Sequence, residues 1–323
     1  YTLSANGCTN TQTVFLTVNP VIVVPDFSVS TCSGTNMNVT ANNVPVNTQY
    51  TWVNSSYTGG ISGISNQNNI PQNTVYQKLY NSTNIVGNAV YTVTPSIPTA
   101  FSSGCTGKPF TLTVLVSPLP ILTSSNIANP ICSNSNFTYS PSSNIIGTAF
   151  TWYRDSVIGI QNPKSSGVGI INETLIDSTI NPVNVLYKLV LTANGCSDTT
   201  YSLKLKVNPA PILPDQTISI CSGNLFNLSP NLMPLNTNYQ WSQPLIIPTG
   251  SLTGFSSANS PRTVMSDSLF NNTLNDASAI YSIQPLNNIC SIQPFKLVVN
   301  VISVPSVMNQ QISYCSGSEF NFR

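Results

Sequence analysis

Charge is nearly missing from this chain. Its 323 residues hold ten Lys and Arg, nine Asp and Glu and no histidine, which is 6% charged with a net charge of +1. A nucleic-acid footprint needs clustered Lys and Arg, so that partner is excluded. Without histidine there is no imidazole base and no imidazole metal ligand. The nine carboxylates form no calcium-loop pattern. The closest pair, Glu173 and Asp177, lies four residues apart in a stretch that reads as a solvated loop, so two-carboxylate hydrolysis has no candidate. Gly59-Gly60 carries no phosphate-loop pattern. No Cys-x-x-Cys occurs, which argues against zinc. No apolar run approaches the ~18 residues of a membrane-spanning helix. These residues point to no catalytic group, no cofactor and no metal, and therefore to a protein that is not an enzyme.

What is abundant is neutral polarity, with 41 Asn, beside 41% hydrophobic residues and regularly placed aromatics. That mixture suits folded modules with uncharged surfaces. Cysteine gives the beat. Cys32, Cys132 and Cys221 are each followed twenty residues later by Trp52, Trp152 and Trp241, then by a second cysteine at Cys105, Cys196 and Cys290. Cys8 and Cys315 continue the two series. Prolines at Pro20, Pro118, Pro209 and Pro305 close the units. A repeat of roughly 95 residues, the size of one domain, is the organising feature. The expected division is 1–20 as the closing strands of a preceding repeat, then whole repeats over 21–118, 119–209 and 210–305, then 306–323 as the opening of another. Both ends are expected to cut through a repeat of a longer protein.

Each repeat reads as all-β. Phe110, Leu112, Val114 and Val116 alternate with polar residues, as do Tyr201, Leu203, Leu205 and Val207, and Phe295, Leu297, Val299 and Val301. Period two with a polar back face marks a half-buried antiparallel strand. In the second repeat, Asn194-Gly195 predicts a tight hairpin between 186–192 and 201–207. Short strands are expected over 137–140 and 149–152, followed by a variable middle from Ser165 to Asn181. About seven short strands around one Trp per repeat predict tandem immunoglobulin-like β-sandwiches arranged end to end, with Trp52, Trp152 and Trp241 in the cores. The tyrosines and the variable middles, such as 57–69, are the expected contact surfaces.

The cysteines here sit in Cys-Ser-Gly and Asn-Gly-Cys turns, unlike those of true immunoglobulins. The run Ile220-Cys221-Ser222-Gly223, the aromatic-x-Trp, the hairpin Ala193 to Cys196 and the Val-Asn-Pro endings resemble the PKD-like repeats of giant Bacteroidetes cell-surface proteins of gliding-motility and adhesin type. The resemblance covers the whole chain. It implies an exported, cell-surface stalk leaving by the type IX pathway. Four of seven aspartates stand in Asp-Ser/Thr contexts. These resemble the O-glycosylation acceptor of that group and make Ser156, Ser178, Thr199 and Ser268 candidate acceptors, although Asp-Ser also favours turns.

Two cysteines per repeat predict structural disulfides among Cys32, Cys105, Cys132, Cys196, Cys221 and Cys290 in an oxidising, extracellular setting. Bridges within repeats (Cys32–Cys105, Cys132–Cys196, Cys221–Cys290) are the simplest scheme, and each such loop is worth roughly 4 kcal/mol in the chain-entropy model. If the first cysteine lies at the opposite pole from the final hairpin, however, ~25 Å separates the pair, beyond disulfide reach. The alternative staples consecutive repeats, Cys32 to Cys196 and Cys132 to Cys290. Three roles fit this reading: a structural or adhesive stalk touching a substratum, polysaccharide or neighbouring cells; a filament or sheath packed from copies of itself; and a passive spacer for a secreted enzyme. Neighbouring repeats of the same chain are partners in each case.

Overall fold

The computed structural model describes residues 1–15, 21–98, 105–198, 200–230, 233–305, 311–313 and 315–319. It contains strands and no helix among these residues, and so none long and apolar enough to cross a membrane. Three β-sandwiches follow one another. In the first module the larger sheet runs, edge to edge, Phe27–Cys32, Phe110–Ser117, Gly87–Ser96, Gln49–Tyr57 and Gln67–Gln72. The first of these is parallel to its neighbour and the others pair antiparallel. Facing it are two short antiparallel pairs, Asn36–Val39 with Val75–Lys78 and Ile61–Ser62 with Tyr80–Asn81. The second and third modules repeat this order, with Ile131–Cys132 and Gln216–Cys221 as the parallel edge strands.

Alternation accounts for the layers. In Phe110–Ser117 the side chains of Phe110, Leu112, Val114 and Val116 are buried, while Thr111, Thr113 and Leu115 are more accessible. Burying one face of each sheet against the other is the main favourable term, roughly 2 kcal/mol per large apolar side chain. Each module has its own cluster, centred on Trp52, Trp152 or Trp241, and the three clusters share no residue. All three Trp are buried.

Two turns recur because their backbone demands particular residues. Gly34, Asn134 and Gly223 all have positive φ (74°, 63° and 82°), a conformation open to Gly and Asn; hence the variation between Cys-Ser-Gly and Cys-Ser-Asn. Asn194-Gly195 closes its hairpin with φ of 51° and 77°, and Asn6-Gly7 does the same between Thr2–Ala5 and Cys8–Thr11 with 52° and 80°.

The variable middle of the second module is more ordered than expected. Ser165–Val168 pairs with Ala149–Arg154, and Ile171–Leu175 pairs with Ser135–Tyr139. Glu173 is therefore a strand residue and Asp177 is buried, which corrects their reading as a solvated loop. The expected opening strands over 306–323 and the closing Pro20 fall largely or wholly outside the described residues.

Candidate functional site: the module junctions

The edge strand that opens each module ends beside the end of the strand that closes it. Cys32 is opposite Ser117, Cys132 opposite Asn208 and Cys221 opposite Ile302. The second cysteine lies in the hairpin at the other end of that closing strand. The eight residues of Tyr201–Asn208 separate the two poles by roughly 25 Å at the rise of an extended chain. A bridge within one module is therefore out of reach.

The structure joins neighbours instead. Cys32 is bonded to Cys196 and Cys132 to Cys290, with Cα–Cα distances of 5.6 and 5.7 Å. The first cysteine of one module takes the second cysteine of the next, both times. The expected scheme within modules is thus replaced by the staple between them. Cys221 is in no disulfide and is exposed, its carbonyl accepting from the Asn224 amide (3.1 Å), while Cys105, part-buried, accepts a hydrogen bond at its carbonyl from the Ile97 amide (2.9 Å).

Polar contacts accompany the staples. At the first junction Asn144 donates from Nδ2 to Asn84 Oδ1 (2.7 Å), and its Oδ1 accepts from the Ile121 amide (2.7 Å). The segment after Ser117 lies on the second module rather than hanging free: Lys204 N donates to Asn126 O and Ala128 N to Lys204 O, both 2.9 Å. At the second junction the Pro234-Leu235-Asn236 turn meets Ile180 and Pro182 around a cleft of about 160 Å³, whose lining has no charged side chain. Asn287 Nδ2 donates to Leu235 O within the same pole (3.4 Å).

Behind each first cysteine is a serine whose hydroxyl fixes the far sheet. Ser33, Ser133 and Ser222 Oγ accept from the amides of Asn81, Asp177 and Asn271 at 2.9, 2.9 and 2.8 Å. The Asn81 side chain then donates to the carbonyls of Ile85 and Val116, both 2.8 Å, and Asn271 to those of Asn275 and Val301 at 2.8 and 3.0 Å. Asp177 holds the matching position in the second module. Its Oδ1 accepts from Thr179 N and Oγ1 (2.8 and 2.7 Å), but its Oδ2 is buried without a partner.

A second polar position sits opposite the core tyrosine of each module. In the second module Arg154 is buried and bidentate on Glu173, Nε–Oε2 3.0 Å and Nη2–Oε1 3.1 Å. Tyr187 donates to Glu173 Oε2 as well. Burial pushes the Glu173 carboxyl up, but hydrogen bonds from Arg154, Tyr187 and Ser165 outweigh it and leave it below the ordinary glutamate value. Burial first, then the hydrogen bond to Glu173 and its charge, drives the Tyr187 phenol well above its ordinary value. In the third module Asp267 accepts from Tyr281 (2.8 Å) and from Ser256. In the first the position is Gln77, which bonds to Ser65, and burial pushes the unpartnered Tyr91 phenol up to about 12. The signal available in sequence was Arg154 two residues after Trp152, on the same face of one strand.

Trp52 donates from Nε1 to Ser65 O (3.1 Å), whereas Trp152 and Trp241 have buried indole nitrogens without partners. Among the candidate glycan acceptors, Ser156 is exposed and accepts from Lys164 N (3.2 Å), and Ser178 is exposed and donates to Gly159 O (3.1 Å). Ser268 is half-buried within a strand whose neighbour Asp267 points into the core. Thr199 lies outside the described residues. No three His, Cys, Asp or Glu gather at metal-binding distance among the described residues.

The profile of the PKD-like domain family matches residues 29–120, 129–211 and 218–305. No curated protein matches the chain. Solved structures similar to it include an I-band fragment of titin, 11% identical over 86% of this chain and 96% of that one, TM-score 0.38. Others are a four-domain immunoglobulin fragment of Dscam1 (9%, 88% and 73%, 0.29) and Drosophila N-cadherin (12%, 86% and 73%, 0.31). At such scores these likenesses carry no argument about function.

Proposed function

Because the chain belongs to the PKD-like domain family, and because covalent bonds join its successive modules, we propose that it is a segment of an extracellular structural and adhesive stalk. The two staples are the observation that carries the reading. A bond placed at the same pole of two successive modules holds neighbours end to end from outside the three apolar clusters. Disulfides persist in oxidising surroundings, which supports a setting outside the cytoplasm. The resemblance to Bacteroidetes surface proteins supports export to the cell surface. Contact with a substratum or a neighbouring cell falls to exposed strand edges and loops, where Ser156 and Ser178 are also the acceptors best placed for a glycan.

Electron microscopy of the oxidised protein tests this, with non-reducing peptide mapping beside it. The expected particle is a rod of three beads about 100 Å long, from three sandwiches of ~30 Å each, with the Cys32–Cys196 and Cys132–Cys290 peptides linked. Compact single globules, or maps showing those cysteines unlinked, would overturn the stalk. Ordered fibres of laterally packed copies would move the role to a filament.

A further inference from the structure

The two staples overlap along the chain. One closes the loop from Cys32 to Cys196 and the other the loop from Cys132 to Cys290, so that residues 132–196 belong to both. Consider a load applied between Tyr1 and Arg323. Its shortest covalent path runs from Tyr1 to Cys32, crosses to Cys196, goes backward through the second module to Cys132, crosses to Cys290 and continues to Arg323. That path has about 128 residue steps out of about 322 in the chain. In the folded rod this order follows the load: Cys196 lies at the pole facing the first module and Cys132 at the pole facing the third.

We infer that the overlapping staples form a continuous covalent ladder that caps the extension of the stalk, even when every module unfolds. The inference rests on the stalk reading for its purpose and on the bond pattern for its content. Bridges within modules would also shorten the path, but each would act alone. Overlapping loops do not. Removing Cys32–Cys196 leaves a path of about 164 steps and removing Cys132–Cys290 leaves about 158, so either loss adds only about 30 to 36. Removing the second bond then adds about 160 more. Each bond therefore backs up the other, and one broken staple leaves about half the chain still out of the load path. At the ~3.5 Å maximal span per residue, the fully stretched lengths are about 450 Å with both bonds, 550 to 570 Å with one and 1,100 Å with none.

Single-molecule pulling on the whole chain, held at Tyr1 and Arg323 with remaining thiols alkylated, reads these lengths directly. The variants are Cys32→Ser with Cys196→Ser, Cys132→Ser with Cys290→Ser, and all four together, with intact-mass measurement counting the bonds in each. The stretched length reports connectivity whether or not a variant folds well. The expected series is small, small, then large: two modest gains for the pairs and a gain several-fold greater than their sum for the quadruple variant. Gains of about 135 steps for each pair with a quadruple gain smaller than their sum, as bridges within modules would give, or lengths unchanged by any variant, would overturn the ladder. Compact globules by microscopy together with the expected length series would overturn the stalk and leave the ladder standing, whereas unlinked cysteines would overturn both.

Discussion

Asp177→Asn should stabilise the second module. Asn81 and Asn271 hold the same place in the other modules, each amide nitrogen donating to two carbonyls at 2.8 to 3.0 Å. Asp177 keeps the Oδ1 half of that arrangement and the serine contact to its backbone, but its second oxygen has no donor and is buried. Unlike the asparagine amide, that oxygen has no N–H to offer the neighbouring carbonyls. Relieving a buried unsatisfied polar atom is worth about 1 to 3 kcal/mol, and each hydrogen bond gained about 1 more. We expect a net gain of about 3 kcal/mol. For a domain of this size 1 kcal/mol shifts the melting temperature by about 4 to 8 °C, so the second-module transition should rise by more than 10 °C at pH 7 in differential scanning calorimetry. Asn271→Asp should lower the third-module transition by a similar amount. If Asp177→Asn leaves the transition in place or lowers it, the idea that Asp177 is an imperfect asparagine fails.

Three further outcomes follow from the cores. Because Glu173 is held below its ordinary pKa, its contribution to stability is present above the unfolded glutamate value and is lost as pH falls through the lower folded value. The second module should melt lower near pH 3 than at pH 7, and Glu173→Gln should shrink that difference in a pH series of melts. Trp52→Phe should cost about 1 kcal/mol more than Trp241→Phe by denaturant titration, since only Trp52 gives up a hydrogen bond. Gly63→Ala should strongly destabilise the first module: φ is +81°, and an added methyl would collide with the Lys78 carbonyl, so a far-UV melt unchanged from wild type would refute the turn geometry.

Much of the fold was legible because it was written in short-range patterns. Alternation in 110–116, 201–207 and 295–301 announced the buried closing strands, and Asn-Gly announced the hairpins. The strands within 165–175 were not legible. Ser165–Val168 is an edge strand of Ser, Gly and Val, and in Ile171–Leu175 only the two ends are buried hydrophobics, with a half-buried Glu between them. Glu173 looked solvated because its partner Arg154 is nineteen residues away, across the sandwich. The cysteine pairing was open for a related reason. Spacing within one repeat says nothing about poles; the choice needs the opening strand to run parallel to the closing one, a long-range fact that places Cys32 beside Ser117.

The same topology connects the imperfect cores to the covalent junctions. Each module leaves at least one buried polar atom unmatched or matched differently: Tyr91 in the first, Trp152 and Asp177 in the second, Trp241 in the third. Penalties of about 1 to 3 kcal/mol apiece are a large share of the 5 to 15 kcal/mol by which a domain is stable. A single unstapled module carrying them would open under modest load and release its whole chain. Here the clusters share no residue, so the opening of one need not spread through packing, and the staples lie at the poles rather than in the cores. Continuity of the proposed stalk would therefore be set by bonds whose survival does not depend on any one module staying folded. Sequence drift at the core polar positions, from Gln77 to Glu173 to Asp267, changes local stability without changing the covalent path that a load would follow.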